Sequence, residues 1–233
     1  SNVAQISSRD ATVSGSQDAS DPAGKKQELA HQMALMSKAL KRDMEVALCQ
    51  NTAKNAGNAT TARQTRSFEA WITTNKSRGT GGADGSASAA ATDAATGNRR
   101  ALTEALLKGV LQSMFTNGAE PKMAIAGPVN KGVISGFTGR ANTRQNVSAD
   151  TVSASISVYA SDFGELQIVP SNRSRDRSLL LVDPEYAKVA YLRNFQTMDI
   201  AKIGDADTKM ILAEYGLEMS NEAAHGIVAD LTA

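Results

Sequence analysis

Cysteine is nearly absent from this 233-residue chain, where Cys49 stands alone. A single thiol cannot close an intramolecular disulfide, and it leaves no multi-cysteine zinc site. Histidine is almost as scarce: His31 and His225 lie near opposite ends of the sequence. With one Trp, four Tyr and five Phe, the core must be built from Ala, Leu, Ile, Val and eight Met. Charge of one sign is also missing, since 25 Lys+Arg face 24 Asp+Glu for a net charge of +1. That balance lacks the basic excess of a dedicated nucleic-acid binder. No apolar run approaches the roughly 18 residues of a membrane-spanning helix. The first residues, Ser1 to Gln5, have neither the charged start nor the apolar stretch of a signal peptide, and there is no initiator Met. A processed or truncated start and an intracellular, soluble protein are therefore expected. The four Asn-x-Ser/Thr sequons, at Asn58, Asn75, Asn146 and Asn172, are read as chance in a Ser/Thr/Asn-rich chain.

What is present reads as α+β, in one large domain or two interleaved ones. Residues 2–16 carry Val3, Ile6, Thr12 and Val13 and predict an extended strand ending at Gly15. Asp21-Pro22 offers an N-cap and a first-turn proline for a long helix over 22–50. Its single apolar stripe is Leu29, Met33, Met36, Leu40, Met44, Ala47 and Leu48. Phe68 to Ile72 is a short apolar anchor. Residues 76–97 are low-complexity Gly/Ala/Ser/Thr and predict a mobile surface loop. Thr103 caps a second helix, Leu102 and Leu107 form its hydrophobic staple, and Asn117-Gly118 closes it. Leu106, Leu107, Val110, Leu111, Met114 and Phe115 are its expected buried side. A short strand, Met123 to Ala126, and a short helix from Gly127-Pro128 to Gly136 follow. From Thr151 the period changes to two, through Val152, Ala154, Ile156 and Val158, into a hairpin that turns at Asp162-Phe163-Gly164. Strands are expected at 179–182 and 189–192, then a ribbon over 195–203 and 208–219. The tail from Asn221 to Leu231 reads as a short helix or a closing strand.

Several motifs carry chemistry in other contexts and do not do so here. Asp162-Phe163-Gly164 matches the kinase magnesium tripeptide, but the glycine loop, strand lysine and His-Arg-Asp loop are missing, so it is a turn. The glycine run 79–85 lacks the Gly-Lys-Ser/Thr ending of a phosphate loop. No Ser sits in a nucleophile elbow with a His and an acid in reach. These absences point away from an enzyme and give no catalytic, cofactor-binding or metal-binding residues. Charge is unevenly spread, with a balance of +6 over 1–150 and −5 over 151–233, which suits contact between copies of the chain. Lys41, Arg42, Arg173, Arg175 and Arg177 are the candidate residues for contacts between subunits or with DNA. A solvated turn with a local Arg–Asp pair is the alternative for the last three.

Nine runs taken in order resemble the major head proteins of tailed bacteriophages. They are Ala39–Glu45, Asn58–Arg63, Asn98–Glu104, Ile134–Gly139, Val158–Gly164, Arg175–Arg177, Asp183–Tyr186, Val189–Arg193 and Asn221–Ala224. The resemblance covers essentially the whole chain and implies a Hong Kong 97-like capsid fold. It further implies a peripheral domain in two parts, 1–67 with a spine helix at 22–50 and 195–233 with the β-ribbon, around an axial domain at 68–194. It implies a non-enzymatic shell subunit without cofactor, forming hexamers and pentamers of an icosahedral head around DNA. Scaffold, portal or decoration proteins are further implied partners, with non-specific contact to the enclosed DNA and no membrane. The expected location is the virion, assembled in the bacterial cytoplasm. Such proteins also have an N-terminal arm and an extended loop ahead of the spine, for which only about 20 residues are present here. The alternative reading is a phage nucleic-acid-binding accessory protein working through Arg173, Arg175 and Arg177.

Overall fold

The computed structural model describes residues 1–20, 27–137, 157–202 and 204–232. Strand β1 (Gln5–Ser14) leads into a single-turn helix α1 (Gly15–Ala19), where the Ser14 hydroxyl accepts from the Gln17 N–H. Helix α2 (Glu28–Cys49) follows, then α3 (Phe68–Trp71) and β2 (Asn75–Ser77). Helix α4 (Glu104–Thr116) begins where the Thr103 hydroxyl accepts the Leu106 N–H. It ends with Gly118 at φ 78° and the Ala119 N–H bonded to the Met114 carbonyl, a left-handed closure that suits glycine. The chain continues through β3 (Met123–Ala126), α5 (Pro128–Ser135), β4 (Val158–Ser161), β5 (Gly164–Pro170) and β6 (Leu179–Val182). Two 14-residue strands, β7 (Ala187–Ile200) and β8 (Ala206–Met219), precede a short β9 (Gly226–Val228).

Two sheets result. One is antiparallel in the order β1-β8-β7; the other is mixed, in the order β2-β9-β6-β3-β5-β4. Strand β6 reads Leu-Leu-Leu-Val, buried throughout, so the six-stranded sheet must be covered on both faces. Leu179 and Leu181 point into a core with Leu107, Val110, Leu111 and Met114 of α4 and Ile134 of α5. Leu180 and Val182, in the opposite phase, point into a second core with Leu40, Met44 and Leu48 of α2. Ile211, Ala213, Tyr215 and Leu217, alternate residues of β8, complete that second core. The six-stranded sheet is thus the wall between two cores, and α2 lies across the three-stranded sheet as its single stripe requires.

Several expectations change. The long helix begins at Glu28 behind an extended Gln27, not at 22; the proposed Asp21-Pro22 start lies outside the described residues. So do Val152, Ala154 and Ile156 of the period-two run and Thr138-Gly139. The hairpin turn at Asp162-Phe163 is present, with Ser161 opposite Gly164. Strands expected separately at 189–192 and 195–203 are one strand, β7, whose pairing with β8 slips between Tyr191 and Arg193 and again before Gln196. Those bulges break the period that sequence reading relies on. The tail is both a 3-10 turn (Glu222–Ala224) and a strand, and β9 sits inside the six-stranded sheet rather than beside the ribbon. Phe115 is 53% exposed and stacks on Phe163, ring centroids 5.2 Å apart, instead of entering the core.

The largest change concerns residues 76–97. The segment is fastened down: the Asp230 carboxylate accepts the Gly79 and Ala94 N–H groups at 2.9 and 2.7 Å. The Asn51 side chain pairs with both backbone groups of Ala91, at 2.6 and 2.8 Å. Few large side chains are needed when distant polar groups satisfy the loop's backbone.

Candidate functional site

Strand β7 forms one edge of the three-stranded sheet, and no strand among the described residues pairs with its outer side. Sheet edges of soluble proteins are usually short, charged or covered. This one is 14 residues long and carries Leu192 (70% exposed), Met198 (47%), Tyr191, Val189 and Ile200. Met198 and Ile200 lie opposite Met210 and Thr208, on the face turned away from α2. Val189 and Tyr191 lie on the other face. There they line a shallow apolar groove with Lys41, Met44 and Leu48 of α2, Phe68 and Phe195. A larger groove of about 470 Å³ runs along the opposite side of the strand, between Ala190-Leu192, Trp71, the first four residues of the chain and Gly216–Met219. Apolar exposure on this scale marks a surface that is covered in use.

The structure brings one of the five basic candidates, Lys41, to this region. Lys41 holds its ammonium 5.8 Å from the centre of the Phe195 ring, and Arg42 is exposed on the neighbouring position of α2. Behind the strand, Glu214 of β8 is almost fully buried between Arg193 of β7 at 2.7 Å and Arg63 of the 50–67 loop at 2.9 Å. Hydrogen bonding to Arg193, with the charges of Arg193 and Arg63, holds this carboxyl below its usual range.

The arginine cluster at 173–177 behaves differently. Arg175 is turned inward, its guanidinium donating to Glu69 of α3 at 2.8 Å and also to Asp93. Arg177 reaches the same Asp93 at 3.1 Å, and Arg78 lies 3.7 Å from Glu69. The acids are therefore supplied from far along the chain, and the local Arg–Asp pair does not form: Asp176 Oδ1 is buried without a hydrogen-bond partner. Burial pushes the Glu69 carboxyl up, against the pull of Arg175 and Arg78. Arg173 is half-buried; its N–H donates to the Ser171 hydroxyl at 3.1 Å and its carbonyl accepts from the Gln50 side chain. The structure thus commits Arg175 within its own chain and leaves Arg177 partly exposed. Sequence reading chose these residues for their local charge density, which carries no information about acids about 80 to 106 positions away. The apolar edge was missed. The signal available for it was Leu192, Met198 and Ile200 falling out of phase with Val189 and Tyr191.

The histidines and the cysteine lie apart. His31 is exposed on α2, His225 is fully buried at the start of β9, and Cys49 is buried at the end of α2. Among the described residues no group of three or more His, Cys, Asp or Glu side chains is placed to hold a metal ion. No helix there is long and apolar enough to cross a membrane.

Comparison with known proteins bears on what such an edge is for. No curated protein matches the chain by sequence. Solved structures match over nearly its whole length at low identity. A cyanophage A-1(L) capsid chain superposes with a TM-score of 0.66 at 12% identity, covering 98% of this chain and 78% of that one. A Gordonia phage Cozz chain gives 0.60 at 12%, covering 99% and 70%. An encapsulin from Synechococcus elongatus gives 0.60 at 12%, covering 98% and 74%. These likenesses establish the fold, the Hong Kong 97-like capsid architecture. The sequence model of one family, the SU10 major capsid protein, matches residues 1–232. With that match over almost every residue, the chain belongs to the SU10 major capsid protein family, and its role is that of a structural capsid protein.

Proposed function

We propose that this chain is the repeating unit of an icosahedral bacteriophage head, built as hexamers and pentamers around the DNA genome, and that β7 is a contact face between copies. The observation that carries the reading is the long, apolar, unpaired edge of β7 in a chain of a shell-forming family. In this reading residues 1–67 and 195–233 form a peripheral part in two pieces and residues 68–194 form an axial part, to whose sheet β9 adds a strand. Lys41, Arg42, Arg173 and Arg177 supply charged contacts to neighbouring subunits or non-specific contacts to DNA; Arg175 is excluded because Glu69 and Asp93 already hold it. Scaffold, portal and decoration proteins are further partners, and assembly takes place in the bacterial cytoplasm before the protein becomes part of the virion. A role as a nucleic-acid-binding accessory protein loses its main support once Arg175 is turned inward.

Electron microscopy of the full-length protein under assembly conditions tests this directly. Shells or capsomers are expected from the unaltered chain. Their loss is expected in Leu192→Asp/Met198→Asp, whose two positions are exposed in the isolated subunit and so leave its folding intact. A strictly monomeric unaltered protein overturns the shell reading; normal shells from the double variant overturn the assignment of β7 alone.

A further inference from the structure

Two connecting segments lie side by side where the sheets meet. Residues 183–186 carry the chain from β6 into β7, and residues 220–225 return it from β8 to β9. Both are therefore crossings between the six-stranded and the three-stranded sheet. They are tied at two points: the Ser220 N–H donates to the Tyr186 carbonyl at 2.9 Å, and the Asp183 N–H donates to Nδ1 of His225 at 3.2 Å. The His225 ring has no solvent exposure and meets the Phe68 ring of α3 edge-on, centroids 6.2 Å apart. Its Nε2 is buried without a hydrogen-bond partner. A ring that accepts at Nδ1 must carry its one proton on Nε2, so this bond exists only in neutral histidine.

The groups around the ring are few. Asp183 is buried and accepts the Glu185 N–H at 3.0 Å; Lys122, just before β3, lies 3.9 Å from Asp183 and 3.6 Å from Glu185. Glu222 faces the ring from its own segment but is held by the Thr73 and Thr74 N–H groups and the Thr74 hydroxyl. Phe68 of α3 and Asn75 of β2, which donates to the His225 carbonyl at 3.0 Å, are neutral. Among the described residues the Tyr186 carbonyl is the one uncharged acceptor that favours a second ring proton, and it does not replace the bond from the Asp183 N–H.

We propose that His225 is an acid-released latch across this crossing: a proton taken up from solvent at Nδ1 ends the bond from the Asp183 N–H and separates residues 183–186 from residues 220–225. The release unpins the start of β7, and the inference stands whether or not β7 is a contact face. Burial holds the ring's pKa below its ordinary 6.5, against the Tyr186 carbonyl and the charges of Asp183 and Glu222. The opened crossing, with an ordinary histidine, binds the proton better, so the latch is fully closed above about pH 6.5 and weakens as pH falls below it. Linkage sets the scale: opening grows up to about 30-fold between pH 7.5 and 5.0. Glu222, whose carboxyl is held below its usual range by the threonine donors although burial opposes them, does not titrate in that window.

Hydrogen exchange of the full chain, corrected for intrinsic rates, reads this opening in peptides spanning 183–186 and 220–225. Between pH 7.5 and 5.0 the expected rise is five- to 30-fold there, with α4 and β6 unchanged. In His225→Gln, whose amide oxygen can accept the Asp183 N–H at any pH, the same peptides should be flat with pH. A pH-independent wild type overturns the latch, and so does an equal rise in the glutamine variant. If that variant does not fold, His31→Gln leaves a single histidine whose ring is followed by NMR. Opening that tracks the His225 ring supports the latch; ring titration without opening, or opening without titration, overturns it.

Discussion

Removing the Asp230 carboxylate should loosen the 76–97 loop, two of whose backbone N–H groups it holds from outside the segment. Asp230 sits at φ 59°, a left-handed conformation that Asp tolerates better than most residues, and is 1% exposed. Its two oxygens accept the backbone N–H groups of Gly79 and Ala94, and its own carbonyl accepts the Arg100 N–H at 3.1 Å. In Asp230→Ala both loop donors lose a charged acceptor inside the protein. Hydrogen bonds to charged groups contribute about 1.5–3 kcal/mol each, so the expected loss of two is about 3–6 kcal/mol. Against a total stability of about 5–15 kcal/mol, that is a large fraction. Asp230→Asn keeps the backbone conformation and one acceptor, and should lose about half as much. Gly82→Ala approaches the same contact from the other side, because a Cβ at Gly82 would collide with Asp230 Oδ2. Equilibrium urea unfolding followed by Trp71 fluorescence, at concentrations where the chain is unassembled, gives the energies. Hydrogen exchange over 79–94 gives the location. An Asp230→Ala protein within about 1 kcal/mol of the parent, with 79–94 still protected, would refute the clamp.

Two further outcomes follow from the buried charges and the single thiol. Arg175→Met leaves Glu69 deeply buried with Arg78 only at 3.7 Å. The expected cost is about 3–5 kcal/mol, recovered in part by Glu69→Leu in the same chain. A double-mutant cycle with coupling near zero would show that the pair does not act as one. Because burial already pushes the Glu69 carboxyl up and the substitution removes the larger opposing charge, the single variant's deficit should shrink as pH falls toward 4.5, where the unfolded chain also takes up the proton. Burial, with the charge of Glu45 adding to it, pushes the Cys49 thiol up to about 11. At pH 8 only about one thiol in a thousand is then ionised, so a thiol reagent should leave the folded chain untouched and titrate one group in urea. Rapid labelling of the folded chain would place the end of α2 in an open state instead.

What could be read in advance was decided locally. Thr103, Leu102, Leu107 and Gly118 lie within one helix length of each other, and each acts on its own neighbours, so the start and end of α4 were visible. The Asp162-Phe163 turn was visible for the same reason. The loop at 76–97 was misjudged because its internal ties, Arg78 to Asp84 and Ala83 to Thr92, are completed by Asp230 and Asn51, which no local window includes. The β7 ribbon was split at Arg193-Asn194 because a bulge shifts the phase of every later side chain. Arg175 looked available because a sequence window shows charge but not the Glu69 that a fold brings to 2.8 Å. Family membership was legible in a different way, through nine ordered runs that a periodicity argument does not use.

The exposed edge of β7 fits the shell reading proposed above on energetic grounds. Its bulges, with Lys188, Arg193 and Asp199, are the usual means of discouraging unwanted strand pairing, yet Leu192, Met198 and Ile200 remain uncovered. Burying such side chains from full exposure is worth about 1.5–3 kcal/mol each, and since Met198 and Ile200 are already more than half covered, the three together yield less than about 9 kcal/mol. Association of two subunits costs about 4–15 kcal/mol in lost freedom, so one such contact does not hold a pair together. Once a subunit is held by several neighbours at the same time, each further contact forms within the assembly and no longer bears that cost. A surface too weak for a dimer and too apolar for a monomer is what a closed shell of many copies requires. If β7 is the contact face proposed above, subunits pair little until enough neighbours are present, and then each contact adds to the rest.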